Sequence, residues 1–122
     1  VRLAGLEDRS PQRILLSRGV APDGFKVINH PAQIAALHSV LYLYIEGGAQ
    51  TAASFLKEGL VDRIEIYRAP VLLGSGIAAL GDYGLGRLAD AHGQWQLAER
   101  RLLGSDTYEA YERMAPSAAS GE

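Results

Sequence analysis

The sequence predicts an α/β fold with a mixed sheet and a terminal antiparallel hairpin, and three observations carry that prediction. First, Leu41 to Ile45 is a short apolar and aromatic run that breaks at Glu46 and the pair Gly47-Gly48. Helical periodicity follows at once, with Ala49, Ala52, Ala53, Phe55 and Leu56 able to share one face. Second, Asp62 to Pro70 alternates Ile64, Ile66 and Arg68 against Arg63, Glu65 and Tyr67, the period of a strand with one face in a core. Third, two β-prone stretches flank Gly104-Ser105-Asp106, the composition of a hairpin turn.

Composition sets the bounds. The chain has 122 residues, which suits one small domain. Hydrophobic residues make up 48%, enough for a core, and the formal charge of −2 offers no basic stripe for nucleic acid. No apolar run approaches the roughly 18 residues of a membrane-spanning helix. The start is charged and polar, without the apolar stretch of a secretory leader, so the expected compartment is the cytoplasm. There are no cysteines, which excludes disulfides, thiol catalysis and iron–sulfur ligation. His30, His38 and His92 lack metal-ligand spacing, so no metal is expected.

In chain order, Val1 to Pro11 reads as polar and irregular. Gln12 to Ser17 reads as a strand whose apolar centre, Ile14-Leu15-Leu16, implies burial on both faces. Pro22-Asp23-Gly24 is a turn, and Phe25 to Ile28 alternates as a second short strand. Pro31 to Ser39 predicts a short helix with Pro31 in its first turn and Asn29 or His30 at its cap. Ile34, Leu37 and His38 fall on one face, where His38 is more simply a packed or rim residue than a ligand. Leu41 to Ile45 is then a buried strand, and Gly48 to Gly59 is a helix ending in a glycine C′ residue. Strand, helix and the strand Asp62 to Pro70 form one unit, for which a right-handed parallel crossover is expected. Val71 to Gly86, with Gly74, Gly76, Gly81, Gly84 and Gly86, is a long loop. It serves either as a flexible connection or, at Leu73-Gly74-Ser75-Gly76, as a phosphate contact through backbone N–H groups. Leu85, Leu88 and Ala89 suggest one further helical turn. Gln94 to Leu103 and Ser105 to Arg113 complete the hairpin, and Pro116 to Glu122 is a small, polar tail expected to be flexible.

The chemistry concentrates at Glu46 to Ser54. A helix start leaves backbone N–H groups unpaired and carries the positive end of the helix dipole, so it attracts anions such as a cofactor phosphate. Glycine there lets a ligand approach the backbone. Glu46, at a strand end, is placed either to hold a substrate hydroxyl or amine, or to favour the helix start electrostatically.

The run Ile45-Glu46-Gly47-Gly48, then Ser54-Phe55-Leu56, Gly59-Leu60-Val61-Asp62, Tyr67, Ala69-Pro70 and Leu72-Leu73-Gly74 resembles the reductase domain of the riboflavin-biosynthesis deaminase–reductase family. The likeness extends more weakly to Gly104-Ser105-Asp106 and to Val1-Arg2-Leu3 with Leu6 to Pro11. It implies a dihydrofolate-reductase-like three-layer sandwich with a mixed, mainly parallel central sheet, spanning residues 1–115. It also implies an NADPH-dependent reduction of the ribosyl group of 5-amino-6-(5-phosphoribosylamino)uracil to ribityl. By resemblance, Glu46 and Arg2 contact this phosphorylated substrate. Gly48, Ala49, Gln50, Thr51, Ala52, Ala53 and Ser54 hold NADPH, with hydroxyl donors from Thr51 and Ser54. The resemblance singles out no catalytic acid or base here, and a homodimer is the expected assembly.

Three departures stand out. The family carries an aspartate near position 17, where this chain has Ser17. The strands that precede Arg2 in the family are missing, as is a strand and turn between Ser17 and Leu41. A truncated, internally shortened chain and a set of segments joined across missing stretches both fit. The lack of cysteine excludes the zinc deaminase half of the family from this chain. The alternative to the enzyme is a non-catalytic paralogue or dimerisation module of the same fold, or a related pterin or pyrimidine reductase.

Overall fold

The computed structural model describes Gly5 and residues 9–115. The chain divides into two compact units, Val1–Tyr44 and Ile45–Glu122. Arg2 and the tail 116–122 lie outside the described residues.

In the first unit, β1 (Ile14–Leu16) pairs in parallel with β2 (Lys26–Ile28), with Leu15 opposite Val27. Both strands fall within the predicted stretches and are shorter. The apolar centre of β1 is half-buried rather than enclosed on both faces, and among the described residues β2 is its one sheet neighbour. A 3-10 helix, Pro31–Ala36, stands where a short helix was predicted. Its start is capped reciprocally. Ala32 N–H donates to His30 Nδ1 (3.2 Å), and Gln33 Oε1 accepts from the backbone of Asn29 (2.7 Å) and His30 (3.1 Å). Pro31 fits the first turn, where its missing N–H costs nothing. Among the described residues of this unit, Ile28, Pro31 and Leu37 are buried, and His38 is exposed.

The predicted strand Leu41–Ile45 does not form. The stretch is irregular, and Leu41, Tyr42 and Tyr44 are 90%, 88% and 78% exposed. A strand exists only when a neighbour satisfies its N–H and C=O groups, and no described strand lies alongside it. Apolar β-formers alone therefore leave the segment unpaired. The parallel crossover expected over Leu41–Pro70 is absent for the same reason.

The second unit holds α1 (Ala49–Lys57), β3 (Arg63–Arg68), a 3-10 turn (Leu88–Ala91), β4 (Trp95–Leu103) and β5 (Asp106–Arg113). Gly48 is the helix N-cap, Glu58 the C-cap, and Gly59 follows with a φ of +69°, a conformation that favours glycine. Lys57 complements the helix dipole in the last turn. Ala53 and Phe55 are its buried residues.

The sheet order is β3-β5-β4, antiparallel throughout. Parallel pairing among the described strands is thus confined to β1 and β2, so the mainly parallel sheet expected from the sequence is not what these strands form. The hairpin β4–β5 closes over Gly104-Ser105, with Leu103 opposite Asp106. Gly104 takes a φ of +63° in the first central position, as a type II′ turn requires.

A bulge between Leu97 and Glu99 shifts the register of β4. Trp95 and Leu97 lie opposite Arg113 and Tyr111, whereas Glu99 and Arg101 lie opposite Ala110 and Tyr108. Odd-numbered residues of β4 therefore change faces at Ala98. On one face, Arg63 donates to Glu65 (3.0 Å), Glu112 (3.1 Å) and Glu99 (3.4 Å), and Tyr108 donates to Glu65 (3.1 Å). The Tyr67 and Tyr108 rings are 5.0 Å apart, and the Arg101 guanidinium lies 4.9 Å from the Tyr108 ring centre. On the other face, buried Glu109 accepts from Tyr111 Oη (2.9 Å) and pairs with Arg100 (3.4 Å) and Arg68 (3.8 Å). Pairing meets the cost of burying that carboxylate. The core of the unit is Ala53, Phe55, Tyr108 and Ala110. β3 is half-buried at Ile64 and Glu65 and exposed at Ile66 and Tyr67, so its alternation does not enclose one whole face.

Candidate functional site

The start of α1 gathers the predicted cofactor residues. Gly48 has a φ of −73° and a ψ of 177°, and no side chain caps the helix. Its carbonyl accepts the first helical bond, from Ala52 N–H (3.2 Å). The N–H groups of the first turn have no intrahelical acceptors. A Cβ built on Gly48 meets nothing within 4 Å, so the backbone faces open space.

Its neighbours are closed. A Cβ at Gly47 would lie 2.9 Å from Thr51 Cβ and 3.0 Å from its methyl, because the Thr51 side chain folds back over the turn. Gly81, from the glycine-rich loop, donates its N–H to the Ala49 carbonyl (3.0 Å). A Cβ on Gly81 would lie 3.1 Å from Gln50 Nε2 and 3.2 Å from that carbonyl. The helix start is thus bounded by Thr51 on one side and the Gly81 backbone on another, with Gly48 left accessible.

The other predicted residues take different positions. Gln50 is exposed, and Ala49, Thr51 and Ala52 are half-buried. Ala53 is buried, so its side chain seats the helix. Ser54 is half-buried, and its hydroxyl donates to the Thr51 carbonyl (2.7 Å), which commits its proton within the helix and leaves its lone pairs. Glu46 is exposed in an irregular stretch just before the glycine pair. Among the described residues no hydrogen bond or ion pair engages its carboxylate, so it is not a hydrogen-bonding cap of α1. Arg2 lies outside the described residues.

A feature that sequence reasoning missed lies in the first unit. Ser17, Arg18, Gly19, Val27, Asn29 and His30 line a cleft of about 380 Å³ at the carboxyl ends of β1 and β2. The Ser17 hydroxyl accepts from Gly19 N–H (2.9 Å), folding the chain sharply after β1. The lining holds a guanidinium and no carboxylate, which suits an anionic or strongly polar group. The signal available in the sequence was the pair of short strands, since ligands gather beyond the carboxyl ends of parallel strands.

The parallel strand pair, the antiparallel sheet and the glycine turn into α1 belong to a dihydrofolate-reductase-like fold. Comparison with known proteins makes it specific. Residues 7–108 match the family described as the RibD C-terminal domain, and this chain belongs to that family. A riboflavin biosynthesis protein RibD from Mycobacterium tuberculosis (strain ATCC 25618 / H37Rv) is 28% identical over 113 residues, 83% of this chain and 33% of that protein. RibD from Escherichia coli (strain K12) is 42% identical over 65 residues, 52% of this chain and 17% of that protein. A crystal structure of a putative riboflavin biosynthesis protein from Shewanella sp. PV-4 superposes with a TM-score of 0.64 at 25% identity, covering 84% of this chain and 59% of that one. Acinetobacter baumannii RibD (form 2) shares the fold, with a TM-score of 0.61 at 21% identity, 93% of this chain and 42% of that one. The chain therefore spans about a third or less of these two RibD relatives.

Proposed function

We propose that this domain binds NADPH at the Gly48–Ser54 helix start and is a reductase of riboflavin biosynthesis, taking the ribosyl group of 5-amino-6-(5-phosphoribosylamino)uracil to ribityl. The observation that carries the reading is Gly48, an uncapped helix N-terminus with open space where a side chain would stand. An anion approaching there meets unpaired N–H groups and the positive end of the helix dipole. When bound, NADPH supplies the hydride for C1′ of the opened sugar. The protein's part is to hold and orient. The N–H groups beyond Gly48 hold a cofactor phosphate, with Gln50 able to add a donor. Glu46, whose carboxylate is exposed beside the turn, accepts a hydrogen bond from the substrate. Arg2 grips the substrate phosphate. The reading includes a homodimer working in the cytoplasm.

A second reading has one observation in its favour. Leu41, Tyr42 and Tyr44 are exposed where the family resemblance implies a strand, as expected of a shortened, non-catalytic module. NADPH titration separates the two. The reductase reading expects saturable binding, and Gly48→Val should weaken it by about tenfold or more with only the small fall in melting temperature that a poorer N-cap residue brings. Absence of binding by the unaltered chain would favour the module, and unchanged affinity in Gly48→Val would remove the phosphate from this turn.

A further inference from the structure

We propose that Gly81 is a positioning residue for the helix start: its backbone straps the glycine-rich loop onto the first turn of α1 and holds the Gly48–Gln50 N–H groups in the geometry that receives an anion. The inference rests on the NADPH reading and adds a residue from outside the turn. Between Pro70 and the 3-10 turn at Leu88 the chain has no regular structure, and Val71, Leu72, Leu73 and Ile77 are exposed. Other bonds of this stretch are local, to residues two positions away: Val71 N–H to Ala69, Ser75 N–H to Leu73, and Gly84 N–H to the Asp82 carboxylate. The bond from Gly81 N–H to the Ala49 carbonyl is different, because it ties the loop to a helix (3.0 Å).

That bond has two consequences. The Ala49 carbonyl belongs to the first helical residue, so a second donor on it fixes the plane of the peptide whose N–H neighbours face the anion. A pre-set turn also loses less freedom when a ligand binds, which is how positioning contributes to affinity. The approach is also tight for a side chain, which would push its neighbours by a few tenths of an ångström. The Ala49 carbonyl, 3.2 Å from a Cβ at Gly81, is backbone of the helix and cannot swing away, although the tip of Gln50 can. Gly81 does not have a positive φ, so glycine is needed there for proximity and not for backbone conformation. Gly86, in the same loop, also lacks a positive φ and has nothing within 4 Å of a built Cβ. It is therefore an internal control for the general loss of glycine freedom.

The test compares Gly81→Val, the milder Gly81→Ala and the control Gly86→Ala in the full chain. NADPH affinity and amide hydrogen exchange of residues 49–53 and 81 are the readouts, with melting temperature recorded alongside. Expected is a loss of about tenfold in NADPH affinity for Gly81→Val, the size of one hydrogen bond, with Gly81→Ala between it and an unaltered Gly86→Ala. Melting temperatures should fall modestly in the Gly81 variants, which lose the loop-to-helix bond, and exchange at residues 49–53 should be faster in them. Equal affinities in Gly81→Val and Gly86→Ala would overturn the proposal. If the unaltered chain binds no NADPH, the phosphate reading fails separately and exchange decides the strap. Faster exchange at 49–53 in the Gly81 variants alone supports it, and equal exchange overturns it. Should Gly81→Val not fold, the same comparison is read from Gly81→Ala.

Discussion

The Thr51 side chain occupies the space in which Gly47 would carry a side chain, with its Cβ 2.9 Å from the position a Gly47 Cβ would take. That contact fixes how the chain enters α1. Gly47→Ala would force either the turn or the helix start to move. Overpacking of this kind costs about 1–3 kcal/mol. Chemical denaturation should show a clearly lower midpoint for Gly47→Ala and a smaller drop for Gly48→Ala, whose Cβ meets nothing and which loses only the N-cap preference of glycine. Equal midpoints would show that the turn yields freely.

Glu46 should separate folding from turnover. It is exposed, and among the described residues its carboxylate has no partner to lose. Glu46→Gln should therefore leave the melting temperature unchanged and reduce the rate of NADPH oxidation with the phosphoribosylamino-pyrimidine. A drop in stability without a drop in rate would assign the residue to the fold.

Arg63 ties the three strands of the second unit. It reaches Glu65 on its own strand, Glu112 on β5 and Glu99 on β4. Hydrogen bonds to Tyr108 and then Glu65 raise its guanidinium further above an already high value, so it stays charged throughout the accessible range. Arg63→Gln leaves those carboxylates facing one another. Its melting temperature should fall, and the gap from the unaltered protein should change as salt screens both attraction and repulsion. A salt-independent gap would point to packing of the arginine stem instead.

Tyr111 should titrate late. Its hydroxyl donates to Glu109, and that bond, followed by desolvation, raises its pKa above the ordinary value. The neutral form is favoured in the fold, so its stabilising contribution is complete below about pH 10 and is lost as pH climbs through the raised value. Glu109→Gln removes the charge that holds the proton and should move the Tyr111 transition downward. Resonances of the tyrosine rings followed by NMR against pH would report it, with Tyr111→Phe giving the assignment.

The parts legible in the sequence were those fixed locally. Gly48, Lys57 and Gly59 mark α1 because caps and dipole complements act within a turn of the helix end. Gly104-Ser105 marks the hairpin because turn geometry sets its register. Pro31 and the residues before it marked a helical start, although the turn proved to be 3-10. What depends on a partner was not legible. Leu41 to Ile45 has the composition of a strand, but composition does not supply the neighbour that a strand requires. Arg18 becomes notable only when β1 and β2 bring their carboxyl ends side by side. Nothing in the sequence distinguishes Gly81 from the other loop glycines, since its need for glycine arises from a helix distant along the chain.

The bulge at Ala98 makes β4 a strand that is read in two frames. Ahead of it, Trp95 and Leu97 share a face with Tyr111; beyond it, Glu99 and Arg101 share the opposite face with Tyr108. One residue thus acts as punctuation between an apolar message and a charged one. Deleting it would let β4 pair with β5 one residue for one, with Leu97 and Glu99 adjacent, so that plain alternation keeps Trp95 and Leu97 on the face opposite Glu99 and Arg101. Ala98 is therefore a position of β4 whose loss leaves the cross-strand pairs as they stand, and a lineage carrying this domain is expected to accept a change in the length of the strand at the bulge.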